Sequence, residues 1–162
     1  VNKGYTVQVD FPEGQSMVSS GTSYKLAQFH LHTPSEHVVS GKSYPLVSHF
    51  VHVGTDGALA VLGVMFEEGA ANAELQNVID ALSGQKSGPV SLNTANMLPS
   101  DLRVFRYMGS LTTPPCSEGV NWHVAHAPLT ASADQIKTLS GMMGMNARPV
   151  QDLNNRLLMA PR

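Results

Sequence analysis

The chain has 162 residues, of which 42% are apolar, enough for one domain with a sizeable core. Ten basic and twelve acidic side chains leave a net charge of −2, which excludes the strongly basic surface that binds nucleic acid or an anionic membrane. The longest apolar run, residues 58–66, has about half the length of a bilayer span, so we expect no segment that inserts into a membrane.

The predicted elements are mostly short strands. Alternation of apolar and polar residues, together with apolar runs bounded by turns, predicts strands over residues 5–11, 24–32, 44–53, 59–66, 103–109 and 119–127. Helical spacing of apolar residues predicts a helix over 70–82 that Gly84 ends. Ser132 and Gln135 form a capping box for a second helix that reaches about Met143. The pattern therefore predicts a sheet-dominated domain with two helices at its margin.

Histidines are concentrated in one part of the chain, where five of the seven fall within 23 residues. His30 and His32 lie on the predicted strand 24–32. Successive strand residues alternate between faces, so these two imidazoles project from the same face as Gln28. Two imidazoles placed in this way are close enough to share one metal ion. A half-buried strand also tolerates such histidines when they bind nothing, and this alternative remains open for the pair alone.

The next predicted strand contributes a third imidazole. His49 and His52 have an odd separation, so only one of them shares the face of the pair. If Val47 and Val51 face inward, His49 completes a set of three imidazoles and His52 packs on the opposite face. Three neutral nitrogens with one open position are what a catalytic zinc site requires. Zinc held in this way lowers the pKa of its bound water to about 7 and makes hydroxide available at neutral pH.

A second metal hypothesis makes Glu36 a direct ligand. The spacing His30-x-His32-x-x-x-Glu36 also fits the metal-binding pattern of cupin barrels, in which the metal is often redox-active iron or manganese. Cupins carry a further motif downstream, Pro-x-Gly shortly before a later histidine. The sequence contains no such stretch after the first motif.

The loop over residues 109–118 distinguishes these hypotheses. Its sequence is Gly-Ser-Leu-Thr-Thr-Pro-Pro-Cys-Ser-Glu. Taken with Gln28-Phe-His-Leu-His-Thr-Pro-Ser-Glu-His37 and His49-Phe-Val-His52, this loop resembles the α-class carbonic anhydrases, particularly the bacterial secreted ones. The resemblance implies a mainly β (α+β) fold, a large, twisted, predominantly antiparallel β-sheet with peripheral helices. It also implies that residues 1–162 are a single carbonic anhydrase domain, incomplete at its N-terminus.

The same resemblance implies an activity and assigns its residues. The implied enzyme uses zinc to hydrate carbon dioxide reversibly to bicarbonate and a proton. The family's zinc ligands are matched by His30, His32 and His49. Thr112 matches a threonine whose hydroxyl accepts a hydrogen bond from zinc-bound hydroxide and donates one to a buried glutamate. Glu36 matches that glutamate. This arrangement orients the hydroxide and places Glu36 outside the ligand set, against the cupin hypothesis.

Further positions match the substrate site and the partners of the ligands. Thr113 matches a residue of the bicarbonate site. Five apolar residues match the wall against which carbon dioxide rests, although composition alone would assign them to core packing: Val51, Val61, Leu111, Val120 and Trp122. Gln28 matches the residue that forms a hydrogen bond with the first ligand, His30. Asn146 matches the residue whose backbone carbonyl forms a hydrogen bond with the second ligand, His32. The resemblance also implies binding of sulfonamide-type inhibitors and allows a homodimer.

Three departures from the family pattern lead to predictions of their own. Val47 replaces a glutamate that accepts the ring N–H of the third ligand, so we expect weaker zinc retention unless water or a backbone carbonyl substitutes. Tyr5 replaces a proton-shuttling histidine, which predicts turnover limited by proton transfer. The family domain begins upstream of residue 1, and in bacterial members a cysteine there pairs with the one matched by Cys116, which implies a periplasmic or secreted protein.

The alternative function is a catalytically weakened or inactive carbonic anhydrase-like binding module.

Overall fold

The computed structural model describes residues 4–12, 14–85 and 91–161. Within this part of the chain, eight strands form one sheet: β1 (Gln8–Asp10), β2 (Ser16–Ser19), β3 (Thr22–His32), β4 (Leu46–Gly54), β5 (Leu59–Glu68), β6 (Val104–Ser110), β7 (Glu118–Ala125) and β8 (Leu129–Ala131). The helices are α1 (Ala73–Leu82) and α2 (Ala133–Met143), with a 3₁₀ helix at Thr94–Met97. Neither α-helix in the described residues has the length and apolarity to cross a bilayer.

The sheet is mixed but mainly antiparallel. Its strand order is β1-β3-β4-β5-β7-β6, with β2 beside β3 and β8 beside β5. The pairs β5–β7 and β5–β8 are parallel, and the other pairs of described strands are antiparallel. The predicted fold class, a large and predominantly antiparallel sheet with peripheral helices, is confirmed.

Several element boundaries differ from the sequence predictions. The predicted strand 5–11 is reduced to Gln8–Asp10. The first helix begins at Ala73 because Asn72 caps it. The Asn72 side chain accepts hydrogen bonds from the backbone N–H groups of residues 74 and 75. The capping box of the second helix is confirmed. β2 and β8 have four and three residues, too few for alternation to predict them.

A β-bulge in β3 changes which residues share a face. The register against β4 shifts between Leu26 and Gln28. Leu26 and Phe29 consequently lie in the same apolar core, although strict alternation would separate them. Beyond the bulge alternation holds, and Gln28, His30 and His32 project from the face opposite Phe29. The bulge therefore determines which face receives the histidines.

An apolar cluster lies on each face of the sheet. The larger cluster is the main core, where the inner faces of α1 and α2 pack on the sheet through Leu75, Val78, Ile79, Leu139 and Met143. The smaller cluster, here the Trp122 cluster, comprises Tyr44, Val47, Val61, Met65, Val120, Trp122 and Val124. Both helices cover the first face. The second face therefore remains available for a site, and the histidines lie there.

Candidate metal centre

Three imidazoles converge on the sheet face opposite the helices. His30 and His32 lie on β3, and His49 of β4 is the direct cross-strand partner of His30. Their ring centroids are 4.9 to 5.4 Å apart. One ring nitrogen from each residue lies within 4.8 Å of the other two. The structure thus brings together the three histidines that the sequence assigns to one metal ion.

The donor set fits zinc. His32 and His49 are only 2% and 1% exposed, and Nε2 of His32 is buried without a hydrogen-bond partner. Burial, reinforced by the neighbouring histidines, holds the pKa of His49 well below its usual value. The neutral imidazole that binds metals is therefore the prevailing form at neutral pH. Three imidazole nitrogens, of which Nε2 of His32 has no other partner, correspond to the protein ligands of a zinc ion with one open position.

Two of the three histidines have the hydrogen-bond partners that the sequence analysis expects. Nδ1 of His30 lies 2.9 Å from Oε1 of Gln28, and Nδ1 of His32 lies 3.2 Å from the backbone carbonyl oxygen of Asn146. Both partners are acceptors, so each Nδ1 donates. The proton on Nδ1 means that Nε2 of each ring carries a lone pair, which can bind a metal ion.

The third histidine has a different partner from the one that the family pattern places there. Val47 is fully buried in the Trp122 cluster and has no side-chain acceptor. Nε2 of His49 instead lies 3.0 Å from Nε2 of His37. The structure therefore places the imidazole of His37, rather than a carboxylate, at this nitrogen. Sequence reasoning missed His37, and its only signal was that His37 belongs to the histidine-rich segment 30–52.

Glu36 lies beside the three histidines. Its Oε1 accepts a hydrogen bond of 2.7 Å from the backbone N–H of Arg148. Its Oε2 lies 3.4 Å from Nε2 of His32 and 3.8 Å from Nδ1 of His49, and it has no hydrogen-bond partner. Among the described residues, the group of mutually close donor atoms contains the three histidines and does not include Glu36. This grouping favours the three-histidine set over the cupin set.

The predicted pairing of Thr112 with Glu36 is not formed. Both residues line one cavity of about 480 Å³, but no hydrogen bond joins them. The backbone N–H of Arg148 donates to Oε1 of Glu36, and Oε2 faces the histidines. The cavity lies on the Glu36 side of the site, and the three clustered histidines are not among its lining residues.

The loop and the apolar residues border the third histidine. Thr113 is exposed, and the loop is closed by a hydrogen bond of 2.9 Å from the N–H of Leu111 to the carbonyl of Ser117. The ring of Trp122 lies 4.8 Å from that of His49, and its Nε1 donates to the carbonyl of Ser110 at 2.9 Å. All five predicted wall residues belong to the Trp122 cluster or pack against it: Val51, Val61, Leu111, Val120 and Trp122.

Three further positions from the sequence analysis contribute no donor atom to the three-histidine cluster: Tyr5, His52 and Cys116. The side chain of Tyr5 is 59% exposed, and its backbone carbonyl accepts a hydrogen bond from the side chain of Asn146. His52 projects from the opposite face of β4 to His49, as predicted, and its Nδ1 donates to the carbonyl of Phe50 at 2.9 Å. Cys116 carries a free thiol in the described residues.

Comparison with known proteins gives one consistent result. The family model described as eukaryotic-type carbonic anhydrase matches residues 1–162. The carbonic anhydrase of Pectobacterium atrosepticum is 42% identical over 98% of this chain and 67% of its own length, and that of Nostoc sp. is 42% identical over 98% and 62%. A structure of the α-carbonic anhydrase of Thermovibrio ammonificans with the inhibitor sulfanilamide superposes with a TM-score of 0.91 at 41% identity, covering 98% of this chain and 73% of that one. The chain thus spans about two thirds of the length of its curated relatives.

Proposed function

This chain belongs to the eukaryotic-type carbonic anhydrase family, and on that premise we propose that it binds zinc and reversibly hydrates carbon dioxide to bicarbonate and a proton. The observation that carries the proposal is the convergence of His30, His32 and His49, with donor nitrogens within 4.8 Å of one another. Zinc bound by three neutral histidines supplies hydroxide at neutral pH, because it lowers the pKa of a coordinated water to about 7.

The chain holds the donor nitrogens in a fixed orientation. Gln28 and the carbonyl of Asn146 each accept the Nδ1 proton of one histidine, so Nε2 of His30 and of His32 keep their lone pairs. Burial lowers the pKa of His49 and so keeps its ring neutral. The site therefore requires little rearrangement to receive a divalent ion.

The apolar neighbours of His49 suit the proposed substrate. Carbon dioxide has no net dipole, so an apolar wall formed by residues such as Val61, Val120 and Trp122 can hold it without displacing strong hydrogen bonds. The charged product is poorly solvated by the same surface and leaves readily. We assign Thr113, an exposed residue of the loop that also contributes Leu111 to this wall, to the bicarbonate site.

Glu36 and Thr112 supply the orienting element of the proposal. The carboxylate is buried and anchored by the N–H of Arg148, which leaves Oε2 as an acceptor without a partner. Thr112 lines the same cavity. When a rotation brings the Thr112 hydroxyl to Oε2 of Glu36, the hydroxyl donates its hydrogen bond to the carboxylate. Its oxygen lone pairs then point away from the carboxylate. The threonine then acts as an acceptor only, which positions a nucleophile rather than protonating it.

Zinc content and carbon dioxide hydration, measured together, test the proposal. We expect one zinc per chain and hydration activity that a sulfonamide abolishes. His49→Ala should lose both zinc and activity, whereas His52→Ala, which removes a buried imidazole from the opposite face of β4, should retain zinc. A zinc-free chain contradicts the proposal. A zinc-loaded chain without hydration activity supports the alternative of a binding module.

A further inference from the structure

His37 lies beside Nε2 of His49, the ring nitrogen for which Val47 provides no carboxylate. The Nε2 atoms of the two histidines are 3.0 Å apart and their ring centroids 5.1 Å apart. Both rings are buried. Val47, two residues before His49 on β4, contributes only apolar atoms to the Trp122 cluster. His37 is therefore the side chain that meets the outer nitrogen of His49.

The surroundings of the other ring nitrogen decide the direction of this hydrogen bond. Nδ1 of His49 and Nε2 of His32 lie 3.8 and 3.4 Å from the same oxygen, Oε2 of Glu36. Nδ1 of His49 therefore faces the cluster, and it needs its lone pair to bind an ion. A neutral imidazole with a free Nδ1 carries its proton on Nε2. That proton requires an acceptor, and the atom within hydrogen-bond distance is Nε2 of His37.

The neighbouring strand and loop are shaped to hold His37 in this position. A Cβ at Gly63 of β5 would lie 3.0 Å from Nε2 of His37 and 3.6 Å from Cδ2 of His49, so a side chain there would disturb the pair. The ring of Trp122 packs against both imidazoles, with centroid distances of 5.0 and 4.8 Å. Ser35 fixes the backbone of His37, since its Oγ accepts from the His37 N–H and donates to the His37 carbonyl.

We propose that His37 is the positioning residue of the third metal ligand: it accepts the Nε2 proton of His49 and thereby fixes the tautomer that presents Nδ1 to the metal. The inference rests on the proposed zinc site and adds the group that orients one of its ligands. A neutral imidazole selects the tautomer as a carboxylate would, but it brings no negative charge to raise the basicity of His49. His37 therefore supplies orientation without charge.

Two variants of His37 and one matched control test the proposal. His37→Leu removes the acceptor, whereas His37→Gln places an amide oxygen at a similar reach from the backbone. His52→Leu removes another buried histidine from the opposite face of β4 and is the control. The first measurement is the ring ¹⁵N chemical shifts of His49 in metal-free protein at pH 8, which report the tautomer. The second is the rate at which zinc-loaded protein loses zinc to a chelator.

We expect His49 to carry its proton on Nε2 in the wild type and in His37→Gln, and to show both tautomers in His37→Leu. Zinc loss should be about tenfold faster, or more, in His37→Leu than in His37→Gln or the His52→Leu control. Should His37→Leu fail to fold, His37→Asn takes its place, because its amide is too short to reach His49. Wild-type tautomer and wild-type zinc loss in the variant that lacks the acceptor would overturn the proposal.

The two measurements separate this inference from the proposed function. If the wild type binds no zinc, the proposed function fails, while the tautomer of His49 in metal-free protein still tests the role of His37. If zinc binds and removal of the acceptor changes neither measurement, the inference fails and the zinc site stands.

Discussion

The backbone carbonyl of Asn146 accepts a hydrogen bond of 3.2 Å from Nδ1 of His32 and so ties the segment after α2 to the end of β3. The side chain of the same residue holds that carbonyl in place. It accepts the N–H of Thr33 at 2.8 Å and donates to the carbonyls of Leu31 and Tyr5 at 3.0 and 2.7 Å. One asparagine therefore both orients a metal-binding histidine and anchors the segment that carries the acceptor.

Asn146→Ala should lower stability and zinc retention together. It removes three hydrogen bonds to backbone groups, and a loss of about 1–3 kcal/mol in the free energy of unfolding is expected. Zinc loss to a chelator should accelerate, because the carbonyl opposite His32 is no longer held. Urea denaturation and chelator competition measure the two effects. Asn96→Ala in the 3₁₀ helix, which removes a hydrogen bond to Glu74 of α1, is the control and should leave zinc loss unchanged. Unchanged zinc loss in Asn146→Ala would contradict the anchoring role.

Val47→Glu should slow the loss of zinc. A carboxylate two residues before His49 would approach the ring pair from the Trp122 cluster and add the negative charge that His37 does not supply. The metal-free protein should become less stable, because a charge in a fully buried position lacks compensation. Val47→Gln has nearly the same size without the charge and should not slow zinc loss to the same extent. If chelator competition gives Val47→Glu the wild-type rate, the expectation that Val47 weakens zinc retention is wrong.

Turnover should depend on the buffer. Tyr5 is exposed, and a phenol transfers protons less well at neutral pH than an imidazole does. We expect added imidazole to raise turnover of the wild type, and Tyr5→His to raise turnover in dilute buffer by about tenfold or more. Tyr5→Phe is the control and should behave as the wild type does. Wild-type turnover that does not change with imidazole concentration is the contrary result.

The metal-free protein should lose stability in mild acid. Burial, then the Arg106 guanidinium, lowers the pKa of His123, and burial lowers that of His52. The unfolded chain therefore binds more protons than the folded chain below about pH 6.5. The free energy of unfolding is highest above that pH and falls as the pH drops toward the lowered pKa values.

Substitution of one of these histidines tests the pH dependence. In His123→Gln an amide oxygen can replace Nε2, which lies 3.0 Å from Oγ of Ser19, and one titrating group is lost. The slope of the unfolding free energy between pH 6.5 and 5 should decrease, by at most about 1.4 kcal/mol per pH unit. Asn121→Ala, which removes another hydrogen bond to the Ser19 hydroxyl but no titrating group, should keep the wild-type slope. Urea denaturation across this pH range measures both, and equal slopes in wild type and His123→Gln would refute the assignment.

Local patterns account for much of the sheet and for the first two ligands. Residues two apart on a strand share a face whatever the strand packs against, so His30 and His32 could be paired without knowledge of the fold. The caps of α1 and α2 are equally local. The bulge before Gln28 is different, because it depends on how β3 is paired with β4. The alternation of apolar and polar residues does not predict it.

The amino-acid sequence alone determined which side chains of β3 can act on one ion, because strand periodicity is a property of neighbouring residues. Only the tertiary structure decided that His49 lies opposite His30, that His37 meets His49 beside Gly63, and that Glu36 faces the histidines rather than Thr112. These relationships arise from strand register and loop packing. Both are set by contacts between residues far apart in the chain, and no local pattern encodes them.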